Sequence, residues 1–243
     1  MKHQVYTFRE GVKDGLPIGL GYLSVSFGFG IAVVGAGLPA LVAALISMTN
    51  VTSAGQLAGL SVIVSCGPMI EMVLTQLVIN IRYSLMGISL TQRLDDSFTT
   101  PRRLLLSFCI TDEIFAVSSV KPERIGTTYF SGLCTLPYAG WTLGTILGAV
   151  AGSILPPVVS GALGIMLYGM FLAIIIPPAK KQRGVLVAVL TAVALSCVFR
   201  YVPLFSFLSG GFALIISAIA GAALSAWLFP VADEDESKKG AAV

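Results

Sequence analysis

Eight apolar segments, separated by short polar or charged connections, occupy this chain from about Leu16 to Phe229. They run from about Leu16 to Val34, Pro39 to Cys66, Pro68 to Leu90, Leu104 to Val120, Ile125 to Gly152, Val158 to Ile176, Val185 to Phe199 and Leu204 to Phe229. A helix of about 20 apolar residues crosses the hydrocarbon core of a bilayer, and most of these segments are near that length. Only 11% of the 243 residues are charged and 56% are hydrophobic, whereas a soluble domain carries roughly 25% charge. The expected fold is an all-α, polytopic membrane helix bundle with seven or eight crossings and at least one interrupted or re-entrant helix.

Residues 1–15 read as a polar leader, 16–230 as the transmembrane domain and 231–243 as a charged, solvated tail. The leader has no apolar core before a small-residue site, so it does not resemble a cleaved signal peptide. It either lies along the membrane surface, using Phe8 and Val12 one turn apart, or is simply solvated. The first helix is expected to start near Pro17.

A net charge of +3 leaves no nucleic-acid footprint. Cys66, Cys109, Cys134 and Cys197 have no paired spacing and read as small buried hydrophobes rather than a metal or disulfide framework. The one histidine, His3, sits at the N-terminus, away from any apolar segment, which removes histidine-based zinc sites and most catalytic triads. No cofactor is expected, and no nucleotide-binding Gly-x-x-x-x-Gly-Lys-Ser/Thr run occurs.

Four features stand against this apolar background. The second segment has a polar centre, Thr49-Asn50-Val51-Thr52-Ser53-Ala54-Gly55-Gln56. Either its hydroxyls bond back to the helix, or the helix breaks there and lines a cavity with Asn50, Ser53 and Gln56. Arg82 lies ~21 Å along the helix from Pro68; it either snorkels to the interface or pairs with Asp112, Glu113 or an anionic ligand. Glu71, close to the start of its segment, is placed at the interface. Asp112 and Glu113 interrupt the fourth segment, either as an ion pair or helix cap after Thr111, or as groups that bind ligand or relay protons.

The fourth feature is a stripe of Gly140, Gly144, Gly148 and Gly152, which forms a smooth ridge for close helix approach, within the chain or from a partner subunit. Eight crossings with the N-terminus inside satisfy the positive-inside bias for Lys180, Lys181 and Arg183 but leave Arg93, Arg102 and Arg103 outside. Making the fourth segment re-entrant moves those arginines inside and the N-terminus outside.

Phe8-Arg-Glu-Gly-Val-Lys-Asp-Gly-Leu-Pro17, Ser53-Ala-Gly-Gln56, Asn80-Ile-Arg-Tyr-Ser-Leu85 and Thr111-Asp-Glu-Ile-Phe115 occur in that order. This set resembles the AzlC family, the large subunits of branched-chain amino acid exporters, over nearly the whole chain. Family members often carry an acidic residue and a histidine around the arginine, where this chain has Asn80 and Tyr83. The resemblance implies a bacterial inner-membrane transporter rather than an enzyme. It also implies a small AzlD-type membrane subunit as partner and efflux of small hydrophobic amino acids. Arg82, Asn50 and Gln56 are suited to a substrate carboxylate; Asp112 and Glu113 suit its ammonium or a coupling proton. A passive facilitator and a structural subunit of a membrane complex remain the alternatives.

Overall fold

The first helix starts earlier than Pro17, because Thr7 and Glu10 form a reciprocal cap. Glu10 donates its amide to the Thr7 hydroxyl, and its carboxylate accepts the Thr7 backbone N–H at 2.7 Å. From there α1 (Phe8–Gly35) runs unbroken, with Pro17 inside it. The computed structural model describes residues 6–156, 158–159, 169, 172, 175–205 and 207–230. Helices follow in the order α2 (Ala40–Thr49), α3 (Ala54–Val64), α4 (Met69–Thr91), α5 (Thr100–Ser107), α6 (Asp112–Ser119), α7 (Thr127–Ile154), α8 (Arg183–Tyr201) and α9 (Gly210–Leu228). Among the described residues there is no strand beyond one isolated bridge, Leu94 with Ile125. The tail, and most of the sixth apolar segment, lie outside the described residues.

The molecule is organised around α1 and α7. Each has 28 residues, ~42 Å of helix at 1.5 Å per residue, and they run side by side in the same direction. Gly11 meets the Tyr129 to Gly132 turn, Gly19 meets Leu136 and Gly140, and Gly30 meets Thr145 to Ala149. A methyl group on Gly140, Gly144 or Gly148 would fall on the carbonyl oxygen of Gly19, Leu23 or Phe27. The glycine ridge is therefore packed against α1 within the chain, and a methyl group on Gly152 would lie 3.3 Å from Ile31. Pro137, which has no N–H to donate, leaves the Leu133 carbonyl unused by the helix. Gly15 packs against that carbonyl.

Segments two and four do not cross. In the second, α2 and α3 meet at a break spanning residues 50–53, and α3 returns beside α2. Gln56 donates to Ser47 at 3.0 Å, and Ala43 and Leu60 share one cluster with Phe29, Val33 and Ala149. This hairpin enters from the face where α1 and α7 end. In the fourth, α5 and α6 meet at residues 108–111, and both outer ends stay on the face where α1 and α7 begin. Arg93 there donates to the Lys121 carbonyl, Lys121 pairs with Asp14 at 2.8 Å, and Asp95 bonds to Ile125.

Segments two and four thus drop out of the seven or eight crossings expected from eight apolar segments. Five described helices, α1, α4, α7, α8 and α9, are long and apolar enough to span. With two re-entrant hairpins instead of one, Arg93, Arg102 and Arg103 share the N-terminal face with Arg9, Lys13, Lys121, Arg124 and Arg183. The conflict between charge and topology disappears, and the positive-inside bias makes that face cytoplasmic. Arg200, at the end of α8, lies on the opposite face.

Candidate functional site

The two hairpins enter from opposite faces, and their tips meet near the middle of α1, α4 and α7. Between them lies a cavity of about 630 Å³, lined by Ser53 and Ala54 from one tip, Thr111, Asp112 and Glu113 from the other, and Arg82 and Tyr83 from α4. Tyr22 and Trp141 close its floor, and Pro17, Ile18, Val25, Val51 and Ile175 supply apolar wall.

The first tip is held from two sides. From α4, Gln76 donates to the Gly55 carbonyl at 2.8 Å and is in turn bonded by Asn80. From α7, the Trp141 indole N–H donates to Gln56 at 2.9 Å, while Ser47 and Thr145 share a hydroxyl bond of 2.7 Å. Within the tip, Thr52 donates to Asn50 at 2.6 Å. Ser53 adopts a φ of +40°, a left-handed conformation that a non-glycine residue rarely holds. No side chain caps α3, and only Ser53 and Ala54 at its start line the cavity.

The second tip is capped. The Thr111 hydroxyl accepts the Ile114 amide at the start of α6, which places Asp112 and Glu113 in the first turn, where the helix dipole favours negative charge. Tyr22 bonds both Thr111, at 2.6 Å, and Glu113 through a very short contact. One phenol proton serves one acceptor; with it on Glu113, the Thr111 hydroxyl donates to the Tyr22 oxygen. Arg82 pairs with Asp112 at 2.9 Å, both side chains about half exposed, and its guanidinium lies 5.1 Å from the Tyr83 ring centre. Tyr138 ties the two tips together, donating to the Met48 carbonyl while its ring packs edge-on to Phe108.

Of the residues singled out in the sequence, Ser53, Arg82, Asp112 and Glu113 are thus brought to one cavity. Gln56 is not on its surface: at 1% exposure it is a strut between Ser47 and Trp141. Asn50 turns inward to Thr52. Tyr22, Trp141 and Tyr138 were not anticipated, and Tyr83 only as a departure from the family beside Arg82; in apolar helices an aromatic side chain carries no periodic signal that separates a site from core. Gln56→Leu would orphan the Trp141 N–H, a loss of about 1–3 kcal/mol. The variant is expected to melt several degrees lower, which a thermal-shift assay in detergent reads.

The model of the AzlC protein family matches residues 17–155, more than half the chain and every cavity-lining residue named above except Ile175. The chain belongs to the AzlC family. This AzlC-family protein is 29% identical over 188 residues to the inner membrane protein YgaZ of Escherichia coli K12, covering 74% of the chain and 77% of that protein. It is 30% identical over 224 residues to an uncharacterized membrane protein of Archaeoglobus fulgidus, covering 90% and 94% of the two chains. A Helicobacter pylori membrane protein is 25% identical over 156 residues, 61% of this chain and 68% of that one. No solved structure gives a significant match. The AzlC assignment, these relatives and the apolar helices together make the chain a multi-pass cell-membrane protein of transporter type.

Proposed function

We propose that this protein exports branched-chain or similarly small apolar amino acids by proton-coupled secondary transport, as the large subunit of a two-component exporter with a small AzlD-type membrane partner. The observation that carries the reading is one cavity lined by the uncapped start of α3 (Ser53 and Ala54), Arg82, Asp112 and Glu113. A zwitterionic amino acid needs donors for its carboxylate, acceptors for its ammonium and apolar wall for its side chain. The Ala54 amide at the start of α3 and the Arg82 guanidinium supply the donors, as half-helix ends do in transporters with broken helices. Asp112 and Glu113 supply the acceptors, and the Ile18, Val25, Val51 and Ile175 wall receives the side chain.

The Arg82–Asp112 pair occupies these groups when no substrate is bound. Substrate then exchanges one ion pair for two, so the cavity need not hold unpaired charge in either state. Asp112→Asn and Glu113→Gln are each expected to abolish efflux while the protein still inserts. Wild-type resistance of both variants to a toxic branched-chain analogue would contradict the proposal. In proteoliposomes made with the small subunit, export should follow an imposed pH gradient; a rate indifferent to the gradient favours a passive facilitator.

A further inference from the structure

Away from the central cavity, a groove of about 390 Å³ runs between the last two turns of α4 and the length of α5. Leu90, Phe98 and Phe130, all buried, form its floor. Ile88 and Leu104, 64% and 72% exposed, form its rims. Thr91 and Ser107 also line it, but their hydroxyls donate to the Ile88 and Leu104 carbonyls of their own helices. Among the described residues, Arg103 is the one charged side chain in the lining. The groove exists because α5 is poorly seated. None of its residues is buried, and Leu106, only partly covered, is its contact with the core cluster around Leu90 and Phe130.

Depth and charge select the occupant. Ser84 and Thr91, at the two ends of the groove, are seven residues apart on α4, ~10 Å at 1.5 Å per residue. The hydrocarbon of one leaflet is about 15 Å deep, half of the bilayer core. The groove therefore runs from the cytoplasmic interface through most of one leaflet. Its interfacial end is basic. Arg102 donates Nη1 to the Ser97 carbonyl and Arg103 donates Nε to the Phe98 carbonyl, each at 3.0 Å, so the loop before α5 orients both guanidinium groups. Residues 92–103 carry Arg93, Arg102 and Arg103 against Asp95 and Asp96, and Asp95 accepts the N–H and hydroxyl of Ser97. A guanidinium has five N–H donors in a planar fork that suits phosphate. A partner helix would need a broad, shallow face. A narrow apolar slot ending at two oriented arginines fits a flexible chain that carries an anionic head.

We propose that this groove binds one acyl chain of an anionic phospholipid of the cytoplasmic leaflet, with the lipid phosphate on Arg102 and Arg103. The chain supplies the apolar packing that α5 lacks. Because α5 is one arm of the hairpin whose tip carries Asp112 and Glu113, the lipid holds that hairpin against α4. The site is separate from the central cavity, and its occupancy does not depend on the transport proposed above.

The full-length protein in neutral detergent, titrated with phosphatidylglycerol or phosphatidylcholine, tests the proposal through its thermal unfolding midpoint. Phosphatidylglycerol should raise the midpoint by several degrees and phosphatidylcholine by much less, while inorganic phosphate at the same concentration should leave it unmoved. Arg102→Gln combined with Arg103→Gln should reduce the phosphatidylglycerol response to that of phosphatidylcholine. Gly87→Leu places a side chain in the groove wall, where an added Cβ meets only Ile110 at 3.8 Å. It should fill the slot and lose the response to both lipids without lowering the lipid-free midpoint. Equal responses of the wild type to the two lipids, an unchanged preference in the double variant, or an equal shift from inorganic phosphate overturns the proposal. Should the double variant not fold, Gly87→Leu decides, and an undiminished phosphatidylglycerol response overturns it. In intact membranes, a photoreactive residue replacing Leu104 should cross-link to lipid; capture of a small membrane subunit there instead refutes the lipid assignment.

Discussion

Arg82→Ala is expected to abolish amino-acid efflux without preventing membrane insertion. The guanidinium is the one cationic side chain lining the central cavity among the described residues, and it pairs with Asp112 at 2.9 Å. Its removal deletes a charged donor for the substrate carboxylate and leaves Asp112 and Glu113 as neighbouring anions without a cation. A charged hydrogen bond contributes about 1.5–3 kcal/mol, and each 1.4 kcal/mol is tenfold in affinity. Substrate binding should therefore fall roughly 10- to 100-fold, and efflux further, because the cavity no longer balances its charge. Arg82→Lys keeps the charge but loses the planar fork and should recover only part of the activity. Efflux of labelled valine from cells, with expression checked in isolated membranes, measures both. Unchanged efflux by Arg82→Ala would remove the cavity from the transport path.

Gly148→Ala should prevent the protein from folding. A methyl group there falls on the Phe27 carbonyl, backbone against backbone, so no side chain can move aside. Inserting even one methyl into a tight core costs about 1–3 kcal/mol where neighbours relax; here α1 and α7 would have to separate along their length. In a bilayer that separation is not opposed by hydrophobic burial, because lipid is as apolar as the helices, and association rests on close packing itself. Gly35→Ala, where an added methyl meets nothing within 4 Å, is the matched control and should behave as wild type. Size-exclusion profiles of fluorescently tagged variants separate the outcomes. A monodisperse, thermally stable Gly148→Ala protein would refute the packing account.

Much of the candidate site was legible before any geometry. Charged and polar groups are costly in apolar segments, so Arg82, Asp112, Glu113 and the Thr49 to Gln56 run stood out, and a break in the second segment was one of the two readings that run allowed. The break in the fourth segment was harder to see. Residues 108–111 contain neither Gly nor Pro, and only Thr111 followed by two acids, a helix-start signature, hinted that a new helix begins inside an apolar run. The glycine ridge could be seen on α7, but its partner could not. Gly11, Gly15, Gly19 and Gly30 on α1 have compatible spacing, yet spacing alone does not choose between an internal helix and a second chain. Glu71 looked interfacial because it opens its segment. It is buried because α9, 140 positions later, brings Gly211 over it.

By itself the sequence determined that this is a helical membrane protein and which few residues are too polar to face lipid, because the energetic penalty of an unsatisfied group in hydrocarbon depends only on residue type and local context. The tertiary structure alone decided that two segments turn back, that their tips share one cavity, and that Glu71 is buried against the start of α9. Those outcomes depend on contacts between residues far apart in the chain. Whether a helix end faces lipid, another helix or a cavity is set by what packs against it, and no local pattern encodes that.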